Sequence, residues 1–222
     1  MNLCLFDLDD TLLPFDSDHA WGEFMIRLGW VEPVAFRAGN DAFFEQYKAG
    51  RLDIDAYIEF ATRPWRDRPT DEQSAAQTRF ITEVIAPAIA PQALALVRRH
   101  QDDGDWVALV TATNEFVTAP IARALGIDEL IAVQLQRDAT RRVTGRIHGV
   151  PSYREGKVER VAQWLATRGA DWHDFDRISV YSDSANDLPL LERATDAVAT
   201  NPTPALEAIA RERGWRIMKL FT

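Results

Sequence analysis

The sequence predicts an α/β protein in which a parallel sheet is covered by helices on both faces, with an all-helical insertion after the first strand. Two observations predict it. Short apolar runs that end in an acid or a hydroxyl residue recur along the chain, and amphipathic stretches of helical period separate the later ones. That alternation is the pattern of strands buried on both faces and joined by crossover helices, a Rossmann-like three-layer core. Between the first two runs, residues 16–87 are rich in Ala, Arg, Glu, Phe and Trp and show no strand-like alternation. This segment reads as a helical domain inserted into a core made of 1–15 and 88–222.

The first run, 3–8, is apolar except for Asp7 and suits a buried strand. In the insertion, helical stripes pass through Trp21, Phe24, Met25 and Leu28, then through Phe36, Phe43, Phe44 and Tyr47. Ser17 or Asp18 is expected to cap the first of these helices. Most of the aromatics are expected to form the insertion's own core, and a minority to line a cleft. The second strand is expected over 106–110, ending at Thr111, with a helix over 116–125 behind it. Residues 131–135 and 142–147 read as a small hairpin with 138–141 at its tip. Helices are expected over 157–166, 188–193 and 204–213, alternating with strands over 178–181, 197–199 and 216–218.

Composition excludes several classes of function. The 222 residues are 46% hydrophobic, enough for one full core and a smaller accessory domain. A net charge of −9 repels polyphosphate backbones, so no nucleic-acid partner is expected. Arg137, Arg141 and Arg142 form the most basic local patch and read as a solvated hairpin surface. Cys4 is the one cysteine, which excludes an internal disulfide and a cysteine metal cluster. No basic start followed by a long apolar stretch is present, and no window reaches the length of a membrane span. A cytoplasmic protein without a membrane partner is therefore expected. No glycine-rich nucleotide loop appears, and no feature specifies an oligomer.

The chemistry concentrates at predicted strand ends. Asp7 and Asp9 are two apart at the end of the first strand, so their carboxylates point the same way if the strand persists that far. Ends of parallel strands face the crevice where ligands bind. A second acidic group, Asp183 and Asp187 with Ser184 and Asn186 between them, stands at the end of another strand. Neighbouring carboxylates repel one another and call for a cation or a shared proton; a hard divalent cation resolves this, and all-oxygen donors favour magnesium. Thr111 and the amides after it are placed to hold phosphate oxygens at a helix N-terminus. Lys157, at the start of an amphipathic helix, would supply the cation that a dianionic phosphate needs in an acidic crevice.

Phe6-Asp7-Leu8-Asp9-Asp10-Thr11-Leu12, Val110-Thr111, Lys157 and Asp183-Ser184-Ala185-Asn186-Asp187 resemble the four motifs of the haloacid dehalogenase superfamily, in order and across the whole chain. The helical insertion resembles the cap of its phosphoserine-phosphatase-like members. The resemblance implies a magnesium-dependent phosphomonoesterase acting on a small phosphorylated metabolite. Asp7 would attack phosphorus and form an aspartyl-phosphate, and Asp9 would protonate the leaving alcohol and then activate water. Magnesium would be held by the Asp7 carboxylate, the Asp9 backbone carbonyl and Asp183. Thr111 and Lys157 would hold the phosphoryl group, and Asn186 and Asp187 would orient the site. Two positions depart from the family pattern: Asp10 stands where Gly is usual, and Ala112-Thr113-Asn114 replaces a glycine pair.

An ungapped reading puts Asp16 where phosphoserine phosphatases place an amine-binding Glu, and Ala61 where they place a carboxylate-binding Arg. Arg63 is out of register by two, and Arg27 and Arg37 are the other candidates to replace it. A phosphorylated amino alcohol without a carboxylate, such as histidinol phosphate, is therefore expected to fit better than phosphoserine. Asp16, His19, Ala112 and Asn114 are the candidates for substrate contact, while His100, His148 and His173 read as structural. The competing readings are a phosphoserine phosphatase proper, a receiver-like phosphotransfer module, a phosphotransferase to a second alcohol and a non-catalytic binding domain.

Overall fold

The computed structural model describes residues 1–221. β1 (Asn2–Phe6) is followed by α1 (Ser17–Arg27), α2 (Pro33–Lys48), α3 (Ile54–Thr62) and α4 (Thr70–Phe80). A π-helical turn, Ile81–Ile85, and the short α5 (Ala86–Ala88) lead into α6 (Pro91–Asp102). Then come β2 (Trp106–Asn114), α7 (Glu115–Leu125), β3 (Glu129–Val133), β4 (Leu135–Arg137) and β5 (Val143–Ile147). The chain continues through α8 (Glu155–Ala166), β6 (Arg177–Ser182), α9 (Leu188–Leu191), β7 (Asp196–Thr200), α10 (Pro204–Arg213) and β8 (Arg216–Met218).

Among the described residues, β3, β2, β1, β6, β7 and β8 form one parallel sheet in that order. The chain builds outward from β1 on one side, then returns and builds outward on the other. The reversal falls between β1 and β6, where open α/β sheets form their ligand crevice at the carboxyl ends of the strands. Strand period two divides the core. Cys4 and Phe6 pack with Leu96, Val97, Ile121 and Leu125 of α6 and α7, whereas Leu3 and Leu5 pack with Val161, Leu165 and Leu206 of α8 and α10. Each β1 side chain from Leu3 to Phe6 is fully buried, as the apolar run required. No single helix among the described residues is long and apolar enough to cross a membrane.

The structure revises several local expectations. Asp16, one residue earlier than expected, caps α1 by accepting from the His19 amide at 2.7 Å. β2 does not stop at Thr111; after a register shift it pairs Asn114 with Val133, and Asn114 caps α7. Thr111 therefore lies in a strand and not at a helix N-terminus. The β-branched run through Thr113 favours this continuation. Residues 131–133 belong to β3 of the main sheet, so the hairpin is the antiparallel pair β4–β5. The insertion's aromatics do not form a separate core. Trp21, Phe24, Trp65 and Phe80 join the same cluster as Phe6 and Ile121, and Trp65 stacks on Phe116 of α7 at 3.8 Å between centroids.

Candidate active site

The first loop after β1 gathers the acids. The Asp7 amide still bonds to Tyr181 O at 2.9 Å, which extends the β1–β6 ladder by one residue. The chain then turns sharply, with Leu8 O accepting from the amides of Leu12 and Leu13 at 2.8 and 3.0 Å. Asp10 sits at φ 55°, in the left-handed region that Gly, Asn and Asp tolerate best. That is the physical reason a glycine is usual there and an aspartate is accepted. The turn swings the Thr11 hydroxyl between two carboxylates, 3.1 Å from Asp7 Oδ2 and 3.3 Å from Asp183 Oδ1. The same oxygen accepts from the Asp183 amide at 3.0 Å, so Thr11 locks the first acidic group to the second.

Lys157 arrives from the first turn of α8. Gly156 makes this approach possible, because a Cβ there would collide with the Pro151 carbonyl. Lys157 Nζ lies 2.8 Å from Asp7 Oδ1 and 2.7 Å from Asp187 Oδ2, and all three side chains are buried. Asp187 Oδ2 also accepts from Ser182 Oγ at 2.8 Å, while its Oδ1 has no partner. Burial pushes the Asp7 carboxyl up to about 7; Lys157 pulls it down, and Asp187 and Asp9 push it further up. Asp183 is also held well above its ordinary range by burial and by the charge of Asp7. One ammonium thus faces three clustered carboxylates, and one carboxylate oxygen is orphaned.

This donor chemistry fits a hard divalent cation. Among the described residues, no three His, Cys, Asp or Glu side chains form a ready metal cage. Any such ion would rest on the Asp7 and Asp183 carboxylates plus backbone and solvent oxygens.

Asp9 is held from two sides. Its Oδ1 accepts from the Ser17 amide at 2.7 Å and its Oδ2 from Thr113 Oγ1 at 2.9 Å. Burial, then the charge of Asp16, pushes its carboxyl up to about 7. It is one of the residues that line a cavity beside this cluster. Asp16, Asp18 and His19 from the start of α1 line this cavity, facing Phe43, Phe44 and Tyr57 from α2 and α3. No lysine or arginine lines it among the described residues. Burial pushes Asp16 and Asp18 each up to about 7.

The structure thus brings Asp7, Asp183, Asp187 and Lys157 into one cluster, with Asp9 beside it. Thr111 is fully buried in β2, its hydroxyl accepting from the Thr113 amide at 3.1 Å. Ala112 lines the cavity, as does Thr113. Asn114 is the α7 cap, and its amide nitrogen lies 3.4 Å from Asp18 Oδ1. Asn186 donates to the Tyr47 carbonyl at 2.9 Å, tying α2 to the core. His19 bonds to Asp41 at 2.8 Å and packs its ring against Phe44. Arg27, Arg37 and Arg63 stay outside; Arg37 pairs with Glu23, and Arg27 lies over Phe24. Thr11, Asp18, Tyr47, Tyr57 and Thr113 were not identified from sequence as site residues. Thr11 and Thr113 lie inside or beside two motifs, which is a usable signal; Asp18 reads as an ordinary helix-start acid.

Asp18 carries a stability consequence. Its folded pKa of about 7 exceeds the ordinary 3.8, so the folded chain holds a proton that the unfolded chain has released. Ligand-free stability therefore falls as pH rises from about 4 to about 7. Asp18→Asn removes this penalty, for which roughly 4 kcal/mol is an upper bound. In thermal unfolding its Tm is expected to exceed the wild type's at pH 8, with the difference shrinking as pH falls and vanishing only below the unfolded pKa, under about pH 4.

The family model of the haloacid dehalogenase-like hydrolases matches residues 4–192. A protein named histidinol-phosphatase from Neisseria meningitidis serogroup C is 41% identical over 217 residues, covering 98% of each chain. A crystal structure of a protein of unknown function from Bordetella pertussis Tohama I superposes with a TM-score of 0.93 at 48% identity, over 99% of both chains. A substrate-bound phosphoserine phosphatase shares the fold with a TM-score of 0.66 at 18% identity, covering 97% of this chain and 91% of its own. The chain belongs to the haloacid dehalogenase-like hydrolases, and it is a phosphatase of that family.

Proposed function

We propose that the chain hydrolyses the phosphate ester of a small amino alcohol, histidinol phosphate being the best-fitting example, through an aspartyl-phosphate on Asp7 with magnesium as cofactor. One observation carries the substrate reading. The cavity beside Asp9 is lined by acids and aromatic rings, its one histidine, His19, is turned to Asp41, and no lysine or arginine lines it. A carboxylate-bearing substrate such as phosphoserine would meet Asp16 and Asp18 without a counter-charge, whereas an ammonium would be matched. The relative named histidinol-phosphatase, aligned end to end, supports the same choice. The helices of the insertion act as a cap that selects the alcohol, with Asp16 taking its amine.

In the first step an Asp7 oxygen attacks phosphorus while the bond from phosphorus to the alcohol oxygen breaks. Asp9 gives its proton to that departing oxygen. Burial keeps Asp9 protonated to about pH 7, and the Thr113 hydroxyl adapts by accepting from the acid or donating to the carboxylate. In the second step Asp9 takes a proton from water, the water oxygen attacks phosphorus, and the bond to Asp7 breaks. This returns the Asp7 carboxylate and releases inorganic phosphate. Lys157, fixed by Asp187, stays beside Asp7 through both steps and answers the charge on the phosphoryl oxygens. Asp7, Asp183 and the Asp9 backbone carbonyl would hold the magnesium ion, which would supply Lewis-acid stabilisation of that charge.

Phosphate release from a panel of phosphomonoesters, with magnesium and after chelation, tests the proposal. Activity is expected to require the metal, with kcat/KM for histidinol phosphate above that for phosphoserine. A preference for phosphoserine would overturn the substrate reading. Asp9→Asn is expected to lower kcat by roughly 10²–10⁴-fold on alkyl phosphates. In the first step alone, read as alcohol or p-nitrophenol release in a single turnover, the loss should be much smaller on p-nitrophenyl phosphate, whose leaving group needs no proton; the loss of water activation in the second step is common to both substrates. Equal losses of that first step on both would remove Asp9 from the general-acid role.

A further inference from the structure

One buried acid in the cavity is used by no step above. Asp18 is 5% exposed, and its Oδ2 has no hydrogen-bond partner. Its Oδ1 lies 3.4 Å from the Asn114 side-chain amide, and the Tyr57 hydroxyl lies close to the carboxyl group, so the carboxylate is oriented and not loose. An isolated carboxylate in such surroundings is costly unless a donor reaches it. No protein cation does, and His19 is directed to Asp41. Asp16, two residues earlier on the same rim, has one oxygen committed to the α1 cap. The facing wall is aromatic, formed by Phe43, Phe44 and Tyr57.

We propose that Asp18 is a specificity residue whose free Oδ2 receives a ring N–H of the substrate, so that the cavity selects amino-alcohol phosphates carrying a second, aromatic nitrogen base. This rests on the amino-alcohol reading given above and extends it. Asp16 and Asp18 then answer two separate nitrogens, and the rings of Phe43, Phe44 and Tyr57 flank a planar heterocycle. The preference arises from an unpaired buried acceptor. An analogue lacking the donor leaves Asp18 unsatisfied, which discriminates far more strongly than apolar contact alone.

The test compares two substrates that share amine, phosphate and a planar ring: histidinol phosphate, whose ring donates, and phenylalaninol phosphate, whose ring does not. The readout is the ratio of their kcat/KM values, with phosphoserine as a third substrate. The wild type is expected to favour histidinol phosphate by at least about ten-fold. Asp18→Asn is expected to cut that ratio at least about five-fold, chiefly through KM. Tyr57→Phe, which removes the hydroxyl that orients Asp18, is expected to shift the ratio the same way by less. A wild-type ratio preserved in both variants overturns the role of Asp18 alone. A wild type that prefers phosphoserine to both amino-alcohol phosphates overturns the reading on which it rests.

Discussion

Asp7→Asn is expected to reduce steady-state phosphate release by roughly 10⁴-fold or more, the scale seen when a covalent nucleophile is removed. The amide is nearly isosteric, so Thr11 keeps a partner and the loop after β1 is retained. What changes is nucleophilicity and charge. The amide is a poor nucleophile, and the cluster with Asp183, Asp187 and Lys157 loses one negative charge. The burial that pushes the Asp7 carboxyl up to about 7 marks a strain in the ligand-free site that the substitution relieves. Thermal unfolding should therefore show an equal or higher Tm for the variant at pH 8. An inactive variant with a collapsed Tm would point to a folding defect instead of lost chemistry.

Lys157→Met is expected to damage both activity and stability. Lys157 is 1% exposed and is shared by Asp7 and Asp187, themselves 4% and 1% exposed. Removing the ammonium leaves two buried carboxylates without a counter-ion, at a cost of roughly 3–5 kcal/mol. For a chain of this length that corresponds to a fall in Tm on the order of 10 °C. The sign of the pH effect follows from Asp7. Its folded pKa is already raised, and without the pull of Lys157 it rises further. Near pH 5 the carboxyl is protonated and needs no partner; at pH 8 the folded chain must hold a proton that the unfolded chain has released. The loss of stability should therefore be larger at pH 8 than at pH 5. In activity, loss of the charge beside the phosphoryl group is worth roughly 10²–10³-fold in kcat. Lys157→Arg would not restore it, because a planar fork cannot replace a point charge between two acids in this space.

The parts of this site that the sequence made legible are those fixed by backbone chemistry within a few residues. Asp7 and Asp183 stand where buried strands end, and α10 starts at Pro204 and stops at Gly214 in the left-handed conformation, a boundary that propensity alone dictates. β8, three residues long at the sheet edge, fell where its apolar run ends. Lys157 was recognisable only by its place among the other motifs, because a lysine after a helix start is ordinarily solvated.

The cavity was less legible for the opposite reason. Its walls come from α1, α2, α3 and β2, and only the packing of α1 and α4 onto α7 brings them beside Asp9. Asp18 looks like any acid at a helix start until Tyr57 and Asn114 close over it. The extension of β2 past Thr111 was hidden because polar residues at a strand end resemble a loop. They are buried here by Asp9 and by the strand β3 that pairs with them.

Quenching a single turnover in acid, with substrate labelled at phosphorus, asks most directly whether Asp7 accepts the phosphoryl group. The label is expected on the chain within the first turnover, to map by peptide digestion to the segment holding Asp7, and to be absent from Asp7→Asn. Phosphate release at full rate with no label on the wild-type chain, or label retained in Asp7→Asn, would contradict the nucleophilic role of that carboxylate.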